Sequence, residues 1–325
     1  MPRFVALAPE IVLGVGLAVS CVSLLGGGHR AGRMARLALL AAALGALVAA
    51  LLTRNVVDEF LFLAYRIDAF SQYSKALVLG AVLLAAVAGG TKPPWHDERV
   101  GAPFFGMVAA TGAVAAASAT DLVLLWLSLE AVGVAFVLTA AAEGEWSSRA
   151  AAIHDELMRW LAPSLLVMLG LVLVAALAGT TRFTDLADLA QDVQSEPAGA
   201  AGMLMVLAGL AWRAGLAPLT ASRQFTARQE GSERAALGVS VWIALAAIGV
   251  RFLAVALEPW LGRMGIALLV GLLAFGVLVP AFTLWVRATR ENARRPVLLT
   301  AFVAGLGVAA AAFAAWAWEA SAALP

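Results

Sequence analysis

The stretch LAGLAWRAGLAPLT, Leu207 to Thr220, decides the fold. It reads as the middle of a membrane-spanning helix, yet Arg213 stands at its centre and Pro218 follows five residues later. A bilayer core about 30 Å thick needs roughly 20 apolar residues per helix, and the segment 199–221 around this stretch supplies them. An arginine does not shed its proton in a protein, and a charge at mid-bilayer costs about 2.5–3.5 kcal/mol on insertion scales. Arg213 therefore calls for a partner.

The rest of the chain has the same character. Of 325 residues 62% are hydrophobic and 13% charged, with a mean hydropathy of +0.91, so a soluble domain would lack the polar surface to cover itself. Ten segments are long and apolar enough to span: 4–26, 34–53, 72–91, 101–119, 121–142, 157–179, 199–221, 233–256, 261–286 and 296–318. The first has the length of a signal anchor, but no A-x-A-like site follows it, so a retained helix is expected. The expected fold is all-α and polytopic. The connections between segments are short and leave no room for a soluble domain.

Lysine and arginine fall unevenly on these connections. Those joining helices 1–2, 3–4, 5–6, 7–8 and 9–10 carry 14, and the other side, with both termini, carries 6, among them Arg66 and Lys75. The positive-inside rule then puts both termini outside. The acidic loop with Asp185, Asp188, Asp192 and Glu196 falls outside as well.

Several chemistries find no residues to carry them. The single cysteine, Cys21, excludes an intrachain disulfide and reads as a small buried hydrophobe. His29, His96 and His154 all fall in predicted polar connections, so no metal site is expected. No P-loop lysine, dinucleotide fingerprint or Cys-x-x-Cys is present. A net charge of +1 argues against a nucleic-acid partner.

Three intramembrane charges remain. Glu130 is near the centre of helix five in DLVLLWLSLEAVGV, Arg213 near the centre of helix seven, and Arg251 in the second half of helix eight. A buried glutamate and a buried arginine most economically pair, each offsetting the desolvation of the other. Alternatively, Arg213 binds backbone carbonyls freed at Pro218, which lacks an amide hydrogen. Arg251 is expected to snorkel to the outer interface, where Glu258 is available.

The segments LAPEIVLGVGLAV, YRIDAFSQYSKALVLGAVLLA, SATDLVLLWLSLEAVGVAFVL, LAGLAWRAGLAPLTASRQFTARQEGSERAALGVSVWIALAAIGVRFL and ENARRPVLLTAFVAGLG carry a resemblance. In that order they resemble the antiporter-like subunit N of NADH:quinone oxidoreductase (respiratory complex I), a family similar to Mrp-type cation/proton antiporter subunits. The resemblance covers nearly all of the chain. It implies two inverted five-helix repeats with broken seventh and twelfth helices, and a midplane file of ionisable residues that carries protons.

On this resemblance residues 1–100 are the first helices, 101–256 the first repeat and 257–325 an incomplete second repeat of one membrane domain. The helices beyond the tenth are expected to be missing. Glu130 takes the place of the family's helix-five glutamate, and Arg213 stands where its partner lysine is expected. Pro218 matches the helix-breaking proline, Thr220 replaces a histidine, and Trp242 falls where a proton-carrying lysine is expected. A helix-six lysine falls close to Asp155 or Arg159.

A buried lysine can release its proton, whereas arginine keeps its charge and an indole offers only a donor. The expected consequence is an interrupted proton path. No catalytic residue and no cofactor is expected. The leading function is a structural membrane-arm subunit of a complex I-related assembly in a bacterial cytoplasmic membrane, with other membrane-arm subunits and lipid as partners. An active proton- or cation-translocating subunit and a free-standing secondary transporter stay open beside it.

Overall fold

The structure, a computed structural model, describes residues 3–26, 29–61, 63–89, 102–142, 146–188 and 197–213. Over these the chain is helical apart from one two-stranded hairpin. The long helices are α1 (Ala8–Leu25), α2 (His29–Leu52), α3 (Ala69–Gly89), α4 (Ala102–Ser118), α5 (Leu122–Ala142) and α6 (Trp146–Ala178). A short α7 (Phe183–Asp188) precedes α8 (Pro197–Arg213). Each of the first six expected spans coincides with one of the long helices, and the start of the seventh coincides with α8. The expected spans 233–256, 261–286 and 296–318 lie outside the described residues.

Among the described residues three stretches are long and apolar enough to cross a membrane, Ala8–Leu25, Ala31–Leu52 and Trp160–Ala178. On α1 the buried positions Pro9, Leu13, Gly16 and Ser20 recur at helical spacing, while Ile11, Val15 and Val22 on the other sides are exposed. A helix apolar all round is one surrounded by hydrocarbon. α6 repeats the pattern, with Leu161, Leu165, Met168 and Val172 facing outward. Inward, Leu13, Ala43, Leu79, Met107 and Leu129 belong to one continuous core shared by α1 to α5. The alanine-rich stripe of α2, including Ala35, Ala43, Ala46 and Ala50, lets its neighbours approach closely.

One end of the bundle is knit by backbone pairing. The hairpin strands β1 (Asp58–Phe60) and β2 (Tyr65–Ile67) pair antiparallel, with Glu59 opposite Arg66. Tyr65 and Ile67 turn inward. Tyr65 also bridges to Ala119 at the α4–α5 turn, and Asp121 bridges to Arg182 after α6. α3 begins with a reciprocal cap: the Ser71 amide donates to Asp68 Oδ1 at 2.8 Å and the Asp68 amide donates to Ser71 Oγ at 2.9 Å. Arg36 of α2 donates to the Ala86 carbonyl at 2.8 Å in the last turn of α3, where the helix dipole favours a cation.

Several sequence expectations are corrected here. α6 begins at Trp146, so EGEWSSRAAAIHDEL is largely helical and His154 lies within a helix. His29 opens α2 instead of occupying a connection. Cys21 is exposed on α1, not buried, because it lies off the Leu13–Gly16–Ser20 stripe. Lys75, expected inside the span 72–91 but grouped with the outside charges, is buried in the body of α3. The hairpin is a small exception to an all-α fold.

Candidate functional site

Asp121 starts the site from the hairpin end of the bundle. Its Oδ1 accepts hydrogen bonds from the amides of Val123 (2.8 Å) and Leu124 (3.2 Å), and its Oδ2 accepts from Thr181 Oγ1 at 2.5 Å. The carboxylate satisfies amide donors that the first turn of α5 leaves open, and it ties that turn to the segment after α6. Glu130 follows nine residues on, about 13 Å further along the helix axis.

Glu130 is half-buried, and its Oε1 accepts a hydrogen bond from Ser164 Oγ on α6 at 2.6 Å. Ser164 Oγ in turn accepts from Trp126 Nε1 at 3.3 Å. Trp126 and Glu130 are four residues apart and share a face of α5, so both reach the same point on α6. Ser164 follows Pro163, a proline inside α6 that carries no amide hydrogen. One turn beyond Glu130, a Cβ placed on Gly133 would fall within the indole of Trp160. Only glycine admits that ring, and the two helices close around Glu130 for this reason.

α6 and α8 approach even more closely. A Cβ on Gly202 would lie 2.9 Å from the Gly170 carbonyl oxygen, and one on Gly209 would lie 2.8 Å from that of Pro163. Gly202 meets Gly170 and Gly209 meets Pro163, so the helices run antiparallel. Residue 213 follows Gly209 by four positions and continues the same stripe of α8. The register, 202 opposite 170 and 209 opposite 163, brings it opposite residue 159, beside Trp160 and a little over one turn past the Ser164–Glu130 contact.

Of the residues expected at the site, Glu130 is described in full. Residue 213 is the last of α8, and the side chain of Arg213 lies outside the described residues. So do the side chains of Asp155 and Arg159 on α6, and all of Pro218, Thr220, Trp242 and Arg251. Ser164 and Trp126 were not anticipated. A serine beside a proline in an otherwise apolar run was the available signal.

A second charged cluster escaped the sequence reading altogether. Lys75 is completely buried, and its Nζ lies 2.5 Å from Glu10 Oε1 of α1, whose side chain is 21% exposed. Tyr65 Oη donates to the same oxygen at 2.5 Å, and Nζ sits 5.3 Å from the centre of the Tyr65 ring. Gln72, one turn before Lys75, donates to the Ala6 carbonyl at 3.5 Å. The cluster fastens α1, the hairpin and α3 together. The position of Lys75 three residues inside the expected span 72–91 was the signal for it; Glu10 and Tyr65 are 55 residues apart and gave none.

A bundle of apolar helices with a glutamate held inside it defines a polytopic membrane protein with an intramembrane ionisable site. Comparison with known proteins places it further. Residues 119–222, the stretch that carries Glu130 and Arg213, match the family described as NADH:quinone oxidoreductase/Mrp antiporter, TM. The chain is similar to NADH-quinone oxidoreductase subunit N 1 of Streptomyces griseus, 32% identical over 219 residues, which cover 66% of this chain and 45% of the relative. Subunit N 2 of Opitutus terrae is 28% identical over 223 residues, 67% of this chain and 46% of the relative. The chain thus spans about half the length of these relatives.

Solved structures agree on the fold. A chain of respiratory complex I from Thermus thermophilus superposes with a TM-score of 0.63 at 18% identity, covering 94% of this chain and 69% of that one. A chain of the Mrp complex from Dietzia gives 0.61 at 20%, covering 79% and 50%. The chain is therefore similar to subunit N in sequence and has the antiporter-type membrane fold.

Proposed function

We propose that this chain is a membrane-arm subunit of a complex I-related assembly, and that its Glu130 site holds helices together without passing protons. The observation that carries the reading is the hydrogen bond that Glu130 Oε1 accepts from Ser164, whose oxygen is itself bonded by Trp126, with α8 delivering residue 213 about one turn away beside Trp160. An arginine there supplies a positive charge to a carboxylate but keeps its proton. Trp242, at the position of a second relay lysine, extends the same argument. Other membrane-arm subunits are the partners, lipid surrounds the apolar outer faces, and no cofactor is bound by this chain. The location is the bacterial cytoplasmic membrane, with the hairpin end and both termini outside.

The test is purification of the tagged chain from its native membrane. Co-purification with other membrane-arm and hydrophilic subunits is expected, and recovery alone as a working transporter would overturn the reading. In the intact assembly Glu130→Gln is expected either to leave proton pumping unchanged or to lower the amount of assembled complex. Normal assembly with pumping lost would make the chain an active translocating subunit instead.

A further inference from the structure

We propose that Ser164 is a positioning residue for Glu130, and that Trp126 sets the direction in which its hydroxyl acts. The inference deepens the structural reading of the Glu130 site and rests on it. The indole Nε1 carries a hydrogen and has no acceptor, so between Trp126 and Ser164 only the indole can donate. Its bond to Ser164 Oγ at 3.3 Å occupies a lone pair of that oxygen and turns the hydroxyl hydrogen away from α5's indole. The hydroxyl hydrogen then points at Glu130 Oε1, 2.6 Å away. The chain Trp126 to Ser164 to Glu130 has one polarity, and Oε1 sits at its accepting end.

Two features of the surroundings keep that polarity from reversing. Ser164 is 5% exposed, which leaves water little room to compete for the hydroxyl. The adjoining Pro163 fixes the backbone of α6 at this level, and Gly133 lets Trp160 close the gap between the helices. A serine in a helix otherwise tends to donate back to a carbonyl of the preceding turn, as Ser128 does to Leu124 at 2.7 Å. Ser164 turns to the neighbouring helix instead. The consequence is specific: the hydroxyl hydrogen of Ser164 is committed to Oε1 of Glu130.

Infrared spectroscopy of the full chain in lipid bilayers tests this, because the difference between wild type and Glu130→Gln isolates the bands of one carboxyl group. The same difference is then recorded with Ser164→Ala, Ser164→Thr and Trp126→Phe. Loss of the hydroxyl is expected to shift the Glu130 bands, threonine to restore them, and Trp126→Phe to broaden them because the hydroxyl keeps its reach but loses its direction. Bands that are identical with serine and alanine at position 164 would overturn the proposal. Loss of pumping in Glu130→Gln would sink the structural reading while leaving these spectra as they are.

Discussion

Removing the ammonium group of Lys75 should be among the most damaging single changes in the described part of the chain, and the reason lies in Glu10. Lys75→Met keeps the length and apolar stem of the side chain, but it strands a carboxylate whose ion-pair partner was 2.5 Å away. Breaking a buried pair from one side costs about 3–5 kcal/mol. Glu10 is 21% exposed and keeps the Tyr65 hydroxyl, so the loss belongs near the lower end, about 3 kcal/mol. Glu10→Gln strands the ammonium, which is fully buried, and belongs nearer the upper end, about 5 kcal/mol. With both changes no uncompensated charge remains, and the double variant should recover about 2 kcal/mol or more relative to Glu10→Gln alone. Denaturant titration of the reconstituted chain in mixed micelles, followed by tryptophan fluorescence, measures all four corners of this cycle. Additive losses, with the double variant the least stable of the set, would refute the argument that the pair is coupled.

Three further outcomes follow from contacts around the two clusters. Gly133→Ala forces a Cβ into the Trp160 indole and should cost about 1–3 kcal/mol or more by overpacking, partly relieved by Trp160→Leu; the same titration reads it, and an alanine variant as stable as wild type would contradict the packing described. Asp121→Ala removes two amide bonds and the Thr181 contact and should cost about 1–2 kcal/mol, with Asp121→Asn retaining most of the cap, as seen in protease resistance of the hairpin end. Gly209→Val should separate α8 from α6 at the Pro163 carbonyl and lower the yield of folded chain, whereas the same change at Gly14, which meets nothing within 4 Å, should be tolerated.

Hydrophobicity made the helices legible because hydrocarbon imposes it on every face of a spanning segment. It marked poorly where a helix extends beyond the membrane. The first three turns of α6, WSSRAAAIHDE, are polar enough to read as a connection, yet their alanines and charged residues are good helix formers and the helix simply continues into them. The hairpin was hidden for the opposite reason. Its strands are three residues each, too short for an alternating pattern, and they exist because Tyr65 and Ile67 find a core against the bundle end.

Glu130 was legible as a site because a lone carboxylate in an apolar run has no cheap explanation. Ser164 was not, since a serine in a membrane helix can satisfy itself on its own backbone and its sequence neighbours say nothing of the helix it will face. The same limit applies to Lys75. A charge three residues inside a predicted span is treated as lying at the interface, where water would receive it. In the folded chain β2 lays Tyr65 over that level and α1 brings Glu10 beside it, so the lysine is sealed by protein at a depth where hydropathy alone leaves it wet.

The two clusters together bear on where a mobile proton could reside in the described part of the chain. Glu130 is paired with a hydroxyl whose hydrogen is directed by an indole, and the residue that α8 brings toward it is an arginine. The indole only donates and the guanidinium stays charged, so neither of these two can hand on a proton. Lys75 is the one side chain in these helices with an amine that can exist in both forms, and it lies against a carboxylate that reaches the outer surface rather than the bundle centre. The chemistry of a lysine–glutamate pair is therefore present, and it joins α1 to α3 at one end of the bundle. A conducting file needs successive groups within hydrogen-bond reach, directly or through water, and the apolar core of the described residues, which includes Val78, Leu79, Val114, Leu125 and Leu129, supplies none. On the proposed structural role of the site, Glu130→Gln is felt in assembly and not in transport.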